Sequence, residues 1–66
     1  MKPWQHAQLL ALARRMITLE QQAQRAEARS EYARATDILE RREIVQWQRS
    51  LLLRDIWDAE RETTHA

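Results

Sequence analysis

The stretch LLALARRMITLEQQAQRA, residues 9–26, decides the fold of this chain. Its apolar and small residues recur with alternating spacings of three and four, and the series continues beyond it. It comprises Leu9, Leu12, Met16, Leu19, Ala23, Ala26, Ser30 and Ala33. This spacing is typical of residues that follow one side of an α-helix, as in the seam of a coiled coil. The small side chains at its end favour close approach of a neighbouring backbone.

A second helical segment follows, and it is apolar on more than one side. Ile38, Val45, Leu52 and Ala59 recur every seven residues, with Ile56 beside them. A second apolar stripe, turned well away from the first, comprises Ile44, Trp47 and Leu51. Because a helix with apolar residues around most of its circumference is typically buried on several sides, this segment predicts more than one packing partner.

The boundary between the helices is predicted near residues 35–37. Asp37 and Glu40 have the spacing of a capping box, and the apolar stripe changes register there. The predicted domain, 1–66, comprises helix 1 at about 4–35, helix 2 at about 38–62 and a frayed tail at 63–66. One unbroken long helix is the alternative, since neither glycine nor an internal proline marks a break.

Composition excludes several classes of protein. The 66 residues include no glycine and no cysteine, so glycine-dependent hairpin turns, phosphate-binding glycine loops and disulfide frameworks are not expected. The net charge is only +1, less basic than is typical of a DNA-binding domain. The longest strictly apolar run, residues 51–53, is far shorter than the roughly 20 residues that span a bilayer. A cytoplasmic location is therefore the expectation.

Together these patterns predict an all-α protein, an antiparallel two-helix hairpin with coiled-coil-like packing. The first half of the chain is net basic and the second half net acidic, which favours packing of the halves against each other or against another copy. The predicted pairing places Leu19 opposite Leu52. The predicted hairpin core comprises Leu12, Met16, Leu19, Val45, Leu52 and Ile56.

A two-helix hairpin of this size buries only one stripe per helix, and its stability is marginal. The apolar residues left over form the predicted protein interface: Leu10, Ile17, Ile44, Trp47 and Leu51. Since an exposed apolar patch containing tryptophan is typical of an interface, we expect the hairpin to complete its core by association. Homodimerisation into a four-helix bundle is the first expectation, and a different partner protein the second. The predicted function is that of a small adaptor, chaperone or inhibitor.

The alternative is a small dimeric regulator that binds RNA or DNA through paired arginines. The candidate contacts are Arg14, Arg15, Arg41 and Arg42. The expected architecture is similar to that of the Rop-like RNA-binding bundles of plasmids, although no stretch of the sequence matches that family.

Chemistry-bearing residues are sparse. His6 and His65 stand near opposite ends of the chain, without further ligands at helical spacing, so no metal site is predicted. The two serines, Ser30 and Ser50, have no neighbouring base that would activate a nucleophile. We therefore expect a protein that is not an enzyme and that takes no cofactor and no small-molecule substrate.

Overall fold

The protein is an antiparallel pair of α-helices. The structure, a computed structural model, describes residues 1–65 of the chain and the side chains of residues 1–62. Helix α1 is Pro3–Ala28 and helix α2 is Tyr32–His65. They pack along their lengths into a rod that measures 55 × 17 × 10 Å across its Cα atoms, one layer of helices thick. The all-α hairpin predicted from the sequence is thus confirmed.

Local sequence explains where α1 begins. Lys2 is extended, and Pro3 occupies the first helical position, where the backbone N–H that proline lacks has no partner within the helix. The Gln5 side chain folds back, and its Oε1 accepts a hydrogen bond of 3.0 Å from the Lys2 N–H. These contacts satisfy the first turn without an acidic residue.

Helix α1 ends in a Schellman motif at Ser30. This residue adopts a left-handed conformation, with φ at 62°. The Ser30 N–H donates to the Glu27 carbonyl at 2.9 Å, and the Glu31 N–H reaches back to the Ala26 carbonyl at 2.8 Å. These two bonds satisfy carbonyls at the end of α1, and the left-handed residue reverses the chain.

The turn therefore lies earlier than predicted. Helix α1 stops at Ala28 rather than near residue 35, and α2 starts at Tyr32 rather than near residue 38. Asp37 and Glu40, predicted as a capping box, lie inside α2 instead. Helix α2 also continues to His65, through most of the predicted frayed tail; Ala66 lies outside the described residues.

The shifted turn changes which residues face each other. Arg42 on α2 pairs with Glu20 on α1, and the Met1 amino group lies 3.2 Å from Glu60. These two contacts fix a register in which Leu19 lies near the level of Arg42, not opposite Leu52 as predicted. Ser30 and Ala33, expected on the seam of helix 1, are exposed because the chain has already turned.

The buried seam is narrow and rich in alanine. Its core cluster comprises Leu19, Ala23, Ala26, Ala35, Ile38 and Val45. Leu12 and Met16 pack against this cluster, while Ile56 is buried nearer the open end and Leu52 is half-buried. A buried leucine, isoleucine or valine contributes about 1.5–3 kcal/mol, and alanine much less, so the hairpin by itself has a small hydrophobic core.

Neither helix, over the residues described, combines the length and the apolar character that crossing a bilayer requires.

Candidate protein-interaction surfaces

The hairpin presents two broad flanks, one on each side of the buried seam. Near the turn, a groove of about 250 Å³ is lined by Arg25 of α1 and Arg34 of α2, so these two residues share one side. On the other side Arg42 donates hydrogen bonds to Glu20 across the helices and to Gln46 along α2. We call the first side the arginine flank and the second the glutamate flank.

Two of the predicted interface residues, Leu10 and Ile17, lie on the outer side of α1 and face toward the glutamate flank. Ile17 is three residues before Glu20, and Leu10 is one heptad before Ile17, so all three follow one side of α1. Leu10 and Ile17 are 45% and 55% exposed. The apolar residues of α2 on the same flank, repeating from Gln46 at helical spacing, are Leu39, Leu53 and Trp57.

Ile44 and Leu51 lie toward the arginine flank instead. Ile44 is three residues after Arg41, which repeats Arg34 one heptad on, and Leu51 repeats Ile44. Trp47 comes three residues after Ile44 and four before Leu51, so the three side chains are neighbours on the outer surface of α2. Their exposed fractions are 60% for Ile44, 65% for Trp47 and 42% for Leu51. We call this group the α2 outer stripe.

The structure thus divides the five predicted interface residues between two surfaces. All five are exposed, which is the condition for an interface. Leu10 and Ile17 face toward the glutamate flank of α1, whereas the α2 outer stripe faces away from α1 and toward the arginine flank. The sequence prediction grouped them because it considered only that each lay off the seam. The direction in which each lies off the seam depends on the register of the hairpin, and therefore on the turn at Ser30.

The Trp47 indole has polar neighbours on one side and apolar neighbours on the other. Its indole lines a shallow groove with Glu43, Gln46 and Ser50. The Ser50 hydroxyl donates to the Gln46 carbonyl at 3.0 Å, so it is already satisfied within the helix. Ile44 and Leu51 flank the other side of the indole. An indole with an apolar border and a polar rim is the arrangement that protein interfaces favour.

The four arginines predicted to contact nucleic acid do not form one site. Arg42 is half-buried and engaged with Glu20, whereas Arg14, Arg15 and Arg41 are exposed. Arg15 and Arg41 belong to the arginine flank, and Arg14 lies one position away on the outer side of α1.

The sequence analysis missed a denser group of arginines at the turn. Arg25, Arg29 and Arg34 all line the groove near Ser30, where the Arg34 guanidinium lies 3.5 Å from the Glu31 carboxylate. Their spacing along the chain gives no sign of this convergence, because the turn at Ser30 brings α1 and α2 arginines together.

Among the described residues, no three histidine, cysteine, aspartate or glutamate side chains come together as a group that could hold a metal ion. His6 is exposed, and the side chain of His65 lies outside the described residues. Comparison of the chain with protein-family models, with curated proteins and with solved structures yields no match.

Proposed function

We propose that this protein is a small, non-enzymatic cytoplasmic interaction module that acts through the α2 outer stripe. The observation that carries the proposal is the exposure of Ile44, Trp47 and Leu51 as neighbours on a single helix. A tryptophan grouped with two aliphatic side chains is the kind of anchor that dominates binding energy at protein interfaces. Homodimerisation is the first form of this proposal, and an adaptor, chaperone or inhibitor role toward another protein is the second. Because the stripe faces away from α1, a dimer formed through it sets four helices side by side rather than in the closed four-helix bundle expected from the sequence.

The small core of the hairpin supports the same proposal. Half of its core cluster consists of the alanines Ala23, Ala26 and Ala35, and the rod is one layer thick. Large apolar side chains therefore lie outside the seam, where a second pair of helices would cover them. Association adds buried apolar area without further ordering of the chain, which stabilises the fold by mass action.

The test uses Trp47→Glu, with Trp57→Glu as the matched control on the glutamate flank. Analytical ultracentrifugation of the purified chain, and intact-mass measurement of complexes recovered from host extract, report self-association and partner binding respectively. We expect the wild-type chain to form a defined complex that Trp47→Glu loses and Trp57→Glu retains. A wild-type chain that is a stable monomer and recovers no Trp47-dependent partner would refute the proposed function.

A second candidate function, RNA or DNA binding, draws its support from the arginine flank. Arg15 and Arg41 share this flank with the turn arginines Arg25, Arg29 and Arg34. Against it, Glu31 pairs with Arg34, and Arg42 is already engaged with Glu20 on the other flank. Contacts to phosphates release counterions, so retention on a nucleic acid column would fall steeply as salt increases. Failure to bind duplex RNA or DNA at low salt would eliminate this candidate.

A further inference from the structure

The charges around the α2 outer stripe are arranged with opposite signs on either side of its centre. One line of residues along α2, spaced by heptads, reads Arg34, Arg41, Gln48, Asp55 and Glu62. It is basic before Gln48 and acidic after it, and all five residues are exposed. Because seven residues make nearly two whole turns, these side chains follow one slowly drifting line on the helix surface.

The two neighbouring lines have their centres within one residue of Gln48. One places Glu40 and Arg54 at equal distances on either side of Trp47. The other places the apolar pair Ile44 and Leu51 symmetrically about the midpoint between Trp47 and Gln48. The outer surface of α2 therefore has an apolar middle, and Arg34, Arg41 and Glu40 on one side of it have counterparts of opposite sign in Glu62, Asp55 and Arg54 on the other.

We propose that the partner of the α2 outer stripe is a second copy of this chain, packed antiparallel along α2 with a twofold axis near Trp47 and Gln48. This inference rests on the proposed function and specifies its partner and geometry. Reversing one helix against the other places Ile44 next to Leu51 of the second copy. It also places Arg41 beside Asp55 of the second copy, and Glu40 beside Arg54 of the second copy.

Charge selects this arrangement over the alternatives. Within one chain Arg41 and Asp55 are two heptads apart, which is about 20 Å along the helix, so they cannot pair with each other. A parallel dimer would place Arg41 against Arg41 and Asp55 against Asp55, which is repulsive. An antiparallel dimer places Arg41 of each copy beside Asp55 of the other, which gives two pairs of opposite charge.

One contact in the antiparallel dimer is unfavourable. It brings Asp37 near Asp58 of the second copy, at the two ends of the apolar line. Each of these acids has an arginine four residues away on its own helix, Arg41 for Asp37 and Arg54 for Asp58, at the spacing where side chains of opposite charge attract. This local compensation leaves the favourable pairs dominant.

A charge-reversal series on the purified chain tests the proposal. Arg41→Asp and Asp55→Arg should each raise the dissociation constant of the dimer about tenfold in sedimentation equilibrium, because each variant creates two repulsive pairs. The combined variant should return it to within about threefold of wild type. Arg14→Asp, which changes the net charge by the same amount on the outer side of α1, should leave it unchanged.

A second measurement does not depend on the folding of those charge variants. The chain has no cysteine, so Gln48→Cys introduces a single thiol next to the twofold axis. Mild oxidation should link two copies through this residue, since a disulfide forms only where the Cα atoms come within about 7 Å. Gln24→Cys, exposed on α1, should not form a linked dimer under the same conditions.

The outcomes separate this inference from the proposed function. Rescue by the combined charge variant, together with efficient linking at position 48, supports the antiparallel dimer. If neither charge variant changes the dissociation constant of the dimer and Gln48→Cys does not link two copies, this geometry is wrong. The proposed function as an interaction module would not be affected by that result. A wild-type chain that stays monomeric at millimolar concentration, or that associates only with nucleic acid or another protein, overturns the second copy as the partner.

Discussion

Ser30 sets the geometry of the whole hairpin, although no glycine or proline near it predicts a turn. Helices commonly end with glycine in the left-handed conformation, and this chain has none. A residue with a Cβ atom takes up that conformation at a cost of about 1–2 kcal/mol. The bonds from Ser30 and Glu31 back to the last turn of α1 compensate for it. Sequence reasoning relies on glycine and proline to find turns, so it placed this one too late.

We predict that Ser30→Gly stabilises the protein by about 0.5–1 kcal/mol, because it removes the left-handed strain at a small entropic penalty. The control is Ser50→Gly, the same substitution inside α2, which should destabilise by about 0.5 kcal/mol. Urea unfolding at a fixed protein concentration measures both. Equal destabilisation by the two substitutions would contradict the left-handed conformation of Ser30.

At the scale of the helices, the sequence identified the seam of α1 better than that of α2. The heptad series Ile38, Val45 and Leu52 was visible because its members are apolar. The alternate seam positions of α2 are Ala35, Arg42 and Arg49, and two of these are charged. Polar residues in a seam break the apolar pattern, and only the three-dimensional register shows that Arg42 belongs there, paired with Glu20.

Alanine at the seam permits the helices to approach closely near the turn. We predict that Ala26→Leu destabilises the hairpin by about 1–3 kcal/mol, because this position is buried and has no room for a larger side chain. Ala33→Leu is the control, since the sequence pattern placed Ala33 on the same seam but the structure exposes it. It should change the unfolding free energy by less than about 0.5 kcal/mol. If Ala33→Leu destabilised the hairpin more than Ala26→Leu, the turn would lie near residues 35–37, as predicted from the sequence.

The ion pair between Glu20 and Arg42 joins the two helices nearer the turn than the open end. Both side chains are partly exposed, so we predict a modest coupling of about 0.5–1 kcal/mol in a double-mutant cycle with alanine. The coupling should diminish in 1 M salt, where charges are screened within about 3 Å. The cycle for Glu31 and Arg34, neighbours at the turn, is the comparison and should give about 0.3 kcal/mol. A Glu20–Arg42 coupling of zero at low salt would argue against this register.

At the scale of the whole molecule, the sequence predicted the class, the two helices and the surplus of apolar surface. It left the hairpin and the single long helix as alternatives. The two differ in the backbone conformation of Ser30, whose φ of 62° ends α1, and no residue type in the sequence predicts that conformation. It also merged the exposed apolar residues into one patch. Leu10 and Ile17 face toward one flank and Ile44 and Leu51 toward the other because of the register of the hairpin, which no local pattern encodes.

Small-angle scattering should distinguish the overall shapes. The Cα radius of gyration is 15.8 Å, well above the roughly 11 Å of a globular domain of this length. An unbroken 66-residue helix would be about 100 Å long, with a radius of gyration near 29 Å. We predict a measured value below about 20 Å for the monomer and for a side-by-side dimer. A value near 29 Å at low concentration would exclude the hairpin.

The contact between the Met1 amino group and Glu60 means that both ends of the polypeptide emerge at the same pole of the rod. Anything joined to either terminus is therefore carried at that pole, clear of the arginines around the turn. In an antiparallel pair of rods, the two sets of ends point in opposite directions. Fused cargo would then be held roughly one rod length apart. A donor and an acceptor dye on the two ends of one copy would report closure of the hairpin by efficient energy transfer.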